Sequence, residues 1–285
     1  MEIGIGLAVL VALATNLAAL LKHRGCQETR TVEIGRPLGG LRDLAASRWF
    51  VAGWALAALA WLAHVAALSL APISLVQAIL AGGAVTLAVL SQRFFGDPVG
   101  RRQWLALTIG GIGLVLLVVT LPRFHGTDSG FSFAAIAGFE GGLILLAVAI
   151  ALIHRSGRLG KRHGVLHAVL AGLLFALAGI AIKALTGGTG GPLGVAVLVT
   201  ITSACGALAQ YAAVAALQGG GAIETIGLMG LVANALQIVG GILVFGDPLS
   251  PGPLGIALQV TAFAMVCLSA LLLPAPRTDR VPLPT

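Results

Sequence analysis

Charge is scarce in this 285-residue chain: Asp, Glu, Lys and Arg make up 9% of it, against 58% hydrophobic residues and a mean hydropathy of +1.02. So few charges cannot cover a water-facing surface, which excludes a soluble globule and makes the lipid bilayer the solvent. Cysteine is scarce too. Cys26, Cys205 and Cys267 form no CxxC pair and no regular spacing, so neither a disulfide framework nor a zinc site is indicated. The basic residues give a net charge of +7, yet they sit in short breaks between apolar runs without interleaved aromatics. That pattern argues for membrane orientation and against nucleic acid. GxSxG, P-loop and kinase-like motifs are missing. With short loops as well, neither an enzyme nor direct ATP use is indicated, and no cofactor is expected. A cleavable signal is also missing. The opening run "MEIGIGLAVLVALATNLAALL" starts with an acidic residue, lacks a basic leader and is followed by Lys22, His23 and Arg24; it reads as a retained first span.

What the chain has is apolar runs. They fall at about 3–21, 49–70, 72–92, 104–121, 132–153, 164–186, 193–217, 222–246 and 252–274, each near the ~20 residues that cross ~30 Å of hydrocarbon. The runs are continuously apolar and do not alternate with period two, so the expected fold is an all-α polytopic membrane protein of about nine helices. With the N-terminus outside, every Lys and Arg of the 17 except Arg123 and Lys183 falls on the inner side, as the positive-inside rule requires. The expected location is the cell membrane, with residues 275–285 as a cytoplasmic tail. "LAPIS" (70–74) and "LQGGGA" (217–222) permit only tight reversals. In the longer loop 22–48, Leu38, Leu41 and Leu44 could share one face of a surface helix, although two glycines favour a solvated connector.

The tetrapeptide Phe-Gly-Asp-Pro occurs twice, in "RFFGDPVGRR" (93–102) and "VFGDPLS" (244–250). One offset of 150 residues aligns these corners, the spans 72–92 with 222–242, and 104–121 with 254–271. The expected organisation is a four-helix repeat over residues 1–121, a linking helix at 132–153, and a second four-helix repeat over 164–274. A displacement of five spans inverts the second repeat, an arrangement that many secondary transporters use. At each corner, Gly96 or Gly246 suits the left-handed end of one helix, Asp97 or Asp247 the N-cap of the next, and Pro98 or Pro248 its first turn. These six are structural corners. "LAALLKHRG" near Lys22 and "AGIAIKALTGG" near Lys183 read as corresponding ends of the first helix of each repeat.

The stretch 67–119, "ALSLAPISLVQAILAGGAVTLAVLSQRFFGDPVGRRQWLALTIGGIGLVLLVV", resembles the second half of a repeat in the drug/metabolite transporter (DMT) superfamily. A helix ending in Ala-Pro, a following helix, a Gly-acidic corner and a Gly-rich helix carry the likeness. The span count and "SLVQ" are closest to its EamA-like and magnesium-transporter-like (NIPA-type) branches. Two departures stand out: nine spans where the superfamily commonly has ten, and Asp97 and Asp247 where the corner usually carries Glu. The resemblance implies transport without naming a substrate.

Polar groups inside hydrocarbon are costly, and each is a candidate for substrate or proton binding. Glu140, in "AGFEGGLIL", is the one carboxylate deep in a span; it could bind a proton or a cation, or be a protonated link between helices packed through Gly138 and Gly142. Glu224 follows the Gly219–Gly221 break and could join a site or cap its helix. Asn234 and Gln237 share a helix face at i, i+3, suited to a cavity or to interhelical bonding. His64 could move protons or pack. Asn16, Gln77, Gln210 and Tyr211 are similar. His163 and His167 lack the Glu of HExxH, so no metal site is expected.

The preferred expectation is alternating-access transport of a small organic solute between the repeats. Passage of Mg²⁺ ranks lower, since Mg²⁺ prefers oxygen ligands and intramembrane carboxylates are few. A non-transporting or lipid-handling partner is a third option, because "GGIG" (110–113) serves dimerisation or internal packing equally. The expected partners are the bilayer, a small solute and a second copy of the chain.

Overall fold

A computed structural model describes residues 2–29, 37–95, 100–120, 131–155, 163–187, 191–219, 222–247, 249–250 and 252–272. They form ten α-helices: α1 (Glu2–Glu28), α2 (Pro37–Ala46), α3 (Arg48–Leu70), α4 (Ile73–Leu90), α5 (Arg101–Thr120), α6 (Phe133–Arg155), α7 (His163–Thr186), α8 (Pro192–Gly219), α9 (Ala222–Phe245) and α10 (Gly252–Leu272). α4 ends in a π-turn, Ser91–Phe95. Among the described residues, eight helices are long and apolar enough to cross a membrane, and α5 carries a shorter apolar stretch, Trp104–Gly113. The protein is an all-α, multi-pass membrane protein. Gly96, Asp97, Pro98 and Pro248, and the tail 275–285, lie outside the described residues.

Local chemistry sets the helix ends. At the start of α3 the Ser47 hydroxyl accepts a hydrogen bond from the Phe50 amide at 3.4 Å. At its far end, Pro72 pushes the preceding Ala71 into extended backbone (φ −147°, ψ 157°), and the chain reverses at once into α4. α9 ends on Gly246 at φ +65°, the left-handed geometry that glycine adopts without a Cβ penalty.

Loop 22–48 corrects one expectation. α1 runs on to Glu28, and 37–46 is a helix opened by Pro37, which needs no amide partner in the first turn. Leu44 of α2 is buried against Leu20, Cys26 and Phe50; that apolar anchor outweighs the helix penalty of Gly39 and Gly40.

α1 lies along α3 and against α4; α7 lies along α8 and against α9. α4 packs on α9, α5 on α10, and α6 on α7 and α9. At one end of the bundle, called here the Lys183 end, the α3–α4 reversal meets the start of α1, the end of α7 and the end of α9, through Gly4 beside Ala71, Lys183 bound to Leu68, and Asp247 bound to Ser74. At the opposite Lys22 end, the α8–α9 reversal meets the end of α1 and the start of α7, through Gln27 bound to Leu217 and Gly219 beside Gly164. α1 and α7 therefore run in opposite directions.

Large apolar side chains such as Leu145, Val119 and Leu254 face outward at 72%, 75% and 74% exposure, as lipid contact requires. Lipid is as apolar as the bundle interior, so helices gain by close approach at small residues. Gly53 lies on the Ala18 carbonyl and Lys22, Gly172 on the Met229 carbonyl and Val232, and Gly113 on Met265 and the Ala262 carbonyl. Gly110 faces Ser269, so the "GGIG" stretch packs internally through Gly110 and Gly113. Gly138 and Gly142 have nothing within 4 Å. The expected glycine packing around Glu140 is not there, because α6 turns its opposite face inward with Ile136, Glu140, Leu143 and Ala147 buried.

Candidate functional site

α4 and α9 carry the amides that meet inside the bundle. Gln77, one turn into α4, is fully buried, and its Nε2 donates to Gln237 Oε1 at 2.8 Å. Gln237 sits where Gly179 of α7 leaves room: a Cβ on that glycine would coincide with the Gln237 amide. Gln237 Nε2 also donates to the Ala233 carbonyl at 3.3 Å. His64 of α3 completes the group, with its Nε2 3.5 Å from Gln77 Nε2. Two buried atoms here have no partner: Gln77 Oε1 and His64 Nδ1. Buried polar atoms are nearly always paired, so a lone oxygen and a lone ring nitrogen in one cluster mark unused binding capacity.

A second polar group lies about one helical turn, roughly 5 Å, nearer the Lys183 end. Lys183 of α7 is buried, and its Nζ donates to the Leu68 carbonyl at 2.8 Å and the Ala71 carbonyl at 3.1 Å. A cation on the last carbonyls of α3 meets the negative end of that helix. Asp247 is buried too; its Oδ2 accepts the Ser74 amide at 2.8 Å and so sits on the positive end of α4. Asp247 was expected to cap α10; it caps α4 instead. The amide of Ser250, two residues before α10, donates to Gln259 Oε1 at 2.8 Å. Gly241 gives Asp247 and Ile73 the space to come together.

The remaining candidates scatter. Glu140 is buried on α6 at 3% exposure, and its Oε1 has no hydrogen-bond partner. Asn234 is buried one turn from Gln237 on α9. Asn16 ties α1 to α4, its Nδ2 donating to the Ala12 and Gly83 carbonyls at 2.7 and 3.0 Å. Tyr211 is 42% exposed on α8. Gln210 Oε1 lies 3.5 Å from Lys22 Nζ at the other end of the bundle. Glu224 occupies the first turn of α9.

Sequence reasoning missed Lys183 and Gln259 as site-forming residues. Lys183 stood out in the charge count as a basic residue on the wrong side. That was the available signal, since a lysine retained against the charge bias needs a local partner.

Among the described residues, no three His, Cys, Asp or Glu side chains are grouped so as to hold a metal ion. The chemistry on offer is a neutral, hydrogen-bonding amide and imidazole set beneath a charged cover. The model of the magnesium transporter NIPA family matches residues 1–204. Comparison with curated proteins and with solved structures finds no match.

Proposed function

The chain belongs to the magnesium transporter NIPA family, and from that membership we propose that it carries Mg²⁺ across the cell membrane by alternating access. The observation that carries this reading is the His64–Gln77–Gln237 cluster between α3, α4 and α9, with both glutamines buried, His64 half-buried and two polar atoms unused. Mg²⁺ sheds water reluctantly and is held through few direct ligands. The free Gln77 Oε1 can accept a hydrogen bond from one of the ion's own waters, so a hydrated ion needs no carboxylate cage.

The transport cycle we infer uses two inverted four-helix units, α1 with α3–α5 and α7–α10, joined by α6. Supporting it are the opposite directions of α1 and α7, the matched packing of α1 on α3 and α4 against α7 on α8 and α9, and the pairing of α4 with α9 and α5 with α10 across the middle. Such units rock against each other around a site at their interface, which is where Gln77 and Gln237 meet. In this orientation the N-terminus and the Lys183 end face outside.

A second reading, transport of a small organic solute, is favoured by one feature: among the described residues there is no cluster of carboxylates or thiolates for a metal. Flux into proteoliposomes separates the two. With a Mg²⁺-responsive dye inside, the wild type is expected to give saturable entry, and Gln77→Leu to lower it about tenfold, the order set by 1–2 kcal/mol of lost interaction. Absence of Mg²⁺ entry from protein that moves an organic solute would transfer the assignment to the second reading.

A further inference from the structure

We propose that Lys183 and Asp247 form a latch that closes one end of the transport path, acting as positioning residues for transport by holding the α3–α4 reversal over the amide cluster. Both side chains grip helix ends, and neither grips the other's helix. Lys183 holds the end of α3 through the Leu68 and Ala71 carbonyls, at 2.8 and 3.1 Å, and Asp247 holds the start of α4 through the Ser74 amide at 2.8 Å. The two residues come from the ends of α7 and α9, in the half of the chain opposite the reversal they secure. Ala71, the residue between the two grips, is extended; its amide makes the last helical bond of α3, to the Ala67 carbonyl at 3.0 Å, and its carbonyl turns to Lys183.

The position fits closure. Ser74 precedes Gln77 by one turn of α4, and Gly241, against which Asp247 and Ile73 pack, follows Gln237 by one turn of α9. Leu68, Ala71, Ile73, Val244 and Phe245 are buried around the latch as one apolar plug. A solute entering from this end has to displace that plug, and the three-bond grip of Lys183 and Asp247 is what holds the plug down.

The other end offers a contrast. The α8–α9 reversal is approached from the end of α1 in the mirrored way, but Gln27 Nε2 is 3.5 Å from the Leu217 carbonyl and Lys22 Nζ 3.5 Å from Gln210 Oε1, at the limit of hydrogen bonding. Among the described residues, these two contacts are longer than the grips at the Lys183 end. Charged groups suit the task. Once water reaches them they are solvated, so releasing the latch costs less than breaking a bond that stays buried.

The proposal rests on the transport reading, and its test separates the two. Hydrogen–deuterium exchange on the full chain in lipid reads the reversal without reference to flux. Lys183→Met and Asp247→Asn are each expected to raise exchange across residues 66–77 about tenfold while leaving 214–226 unchanged, and Lys183→Arg to restore protection. In flux measurements with Mg²⁺ presented at the Lys183 end, the same two variants are expected to lower KM, because the open state is more populated, and to lower kcat, because closure is needed to complete a cycle. Unchanged exchange at 66–77, or local loosening without any change in KM and kcat, overturns the latch. Exchange that rises equally in α7 and α8 and is not rescued by Lys183→Arg overturns it as well, since the residues would then be general packing. A wild type that moves no solute but shows the local exchange response refutes the transport reading and with it the gating role, leaving only a static clamp.

Discussion

At the residue scale, the polar side chains divide by whether their partners were close in sequence. A glutamine or histidine in an apolar span is conspicuous because desolvation makes it expensive, and that rule alone picked out His64, Gln77 and Gln237. It could not bring them together, as Gln77 and Gln237 are 160 residues apart. Asp247 looked like a cap for its neighbour because Asp before Pro so often is one, but its amide partner lies 173 residues away. The prediction at this scale concerns Gly179. A Cβ there overlaps the Gln237 amide, so Gly179→Ala is expected to swing Gln237 off Gln77. Unfolding in detergent should register about 1 kcal/mol for the broken interhelical bond, with Mg²⁺ flux falling as far as in Gln77→Leu. Flux at the wild-type level would show that the amide pair does not carry the cargo. Glu140 is tested separately by Glu140→Gln: if the carboxyl binds a proton during transport, the dependence of flux on pH is flattened, and an unchanged profile removes it from the mechanism.

At the element scale, continuous apolar runs predicted the nine long helices of the described residues to within a few residues at most ends, and eight of them are long and apolar enough to cross a membrane. The exceptions have physical causes. α1 continues to Glu28 because Gly25 admits Phe50 of α3 against its backbone and Cys26 is buried beside it; nothing within "KHRGCQE" announces that contact. α2 forms because Leu44 finds a pocket made by other helices. Helix packing should be equally site-specific. In Gly172 a Cβ would sit 2.5 Å from the Met229 carbonyl oxygen and 2.8 Å from Val232 Cβ, and backbone cannot swing aside as a side-chain tip can. Gly172→Leu is expected to part α7 from α9 at a cost of about 1–3 kcal/mol. Gly111→Leu, on a face with nothing within 4 Å, should leave thermal stability within about 0.5 kcal/mol of wild type. Equal Tm values for the two variants would mean that glycine contacts do not set the helix spacing.

At the scale of the whole molecule, orientation and inversion are one question. Helix directions alternate through the contacts at the Lys183 and Lys22 ends, and Lys22, Arg24, Arg42 and Arg48 lie on or between the end of α1, α2 and the start of α3, at the Lys22 end. The proposed orientation puts that end inside, on the grounds of a negative cytoplasmic leaflet and the insertion bias for Lys and Arg. Arg42 on α2 and Ser132 before α6 are exposed and lie at opposite ends of the bundle. In intact cells, a membrane-impermeant maleimide should label Ser132→Cys directly and Arg42→Cys only after permeabilisation, with the native cysteines replaced in both. Reversed labelling would turn the molecule over, put the Lys183 latch on the cytoplasmic face and reverse the direction from which its loosening lowers KM. Labelling of both from one side would break the alternation on which the opposite senses of α1 and α7 depend. The two inverted units could not then be related by a rocking motion, and a hydrated ion would need some other route past the buried amides.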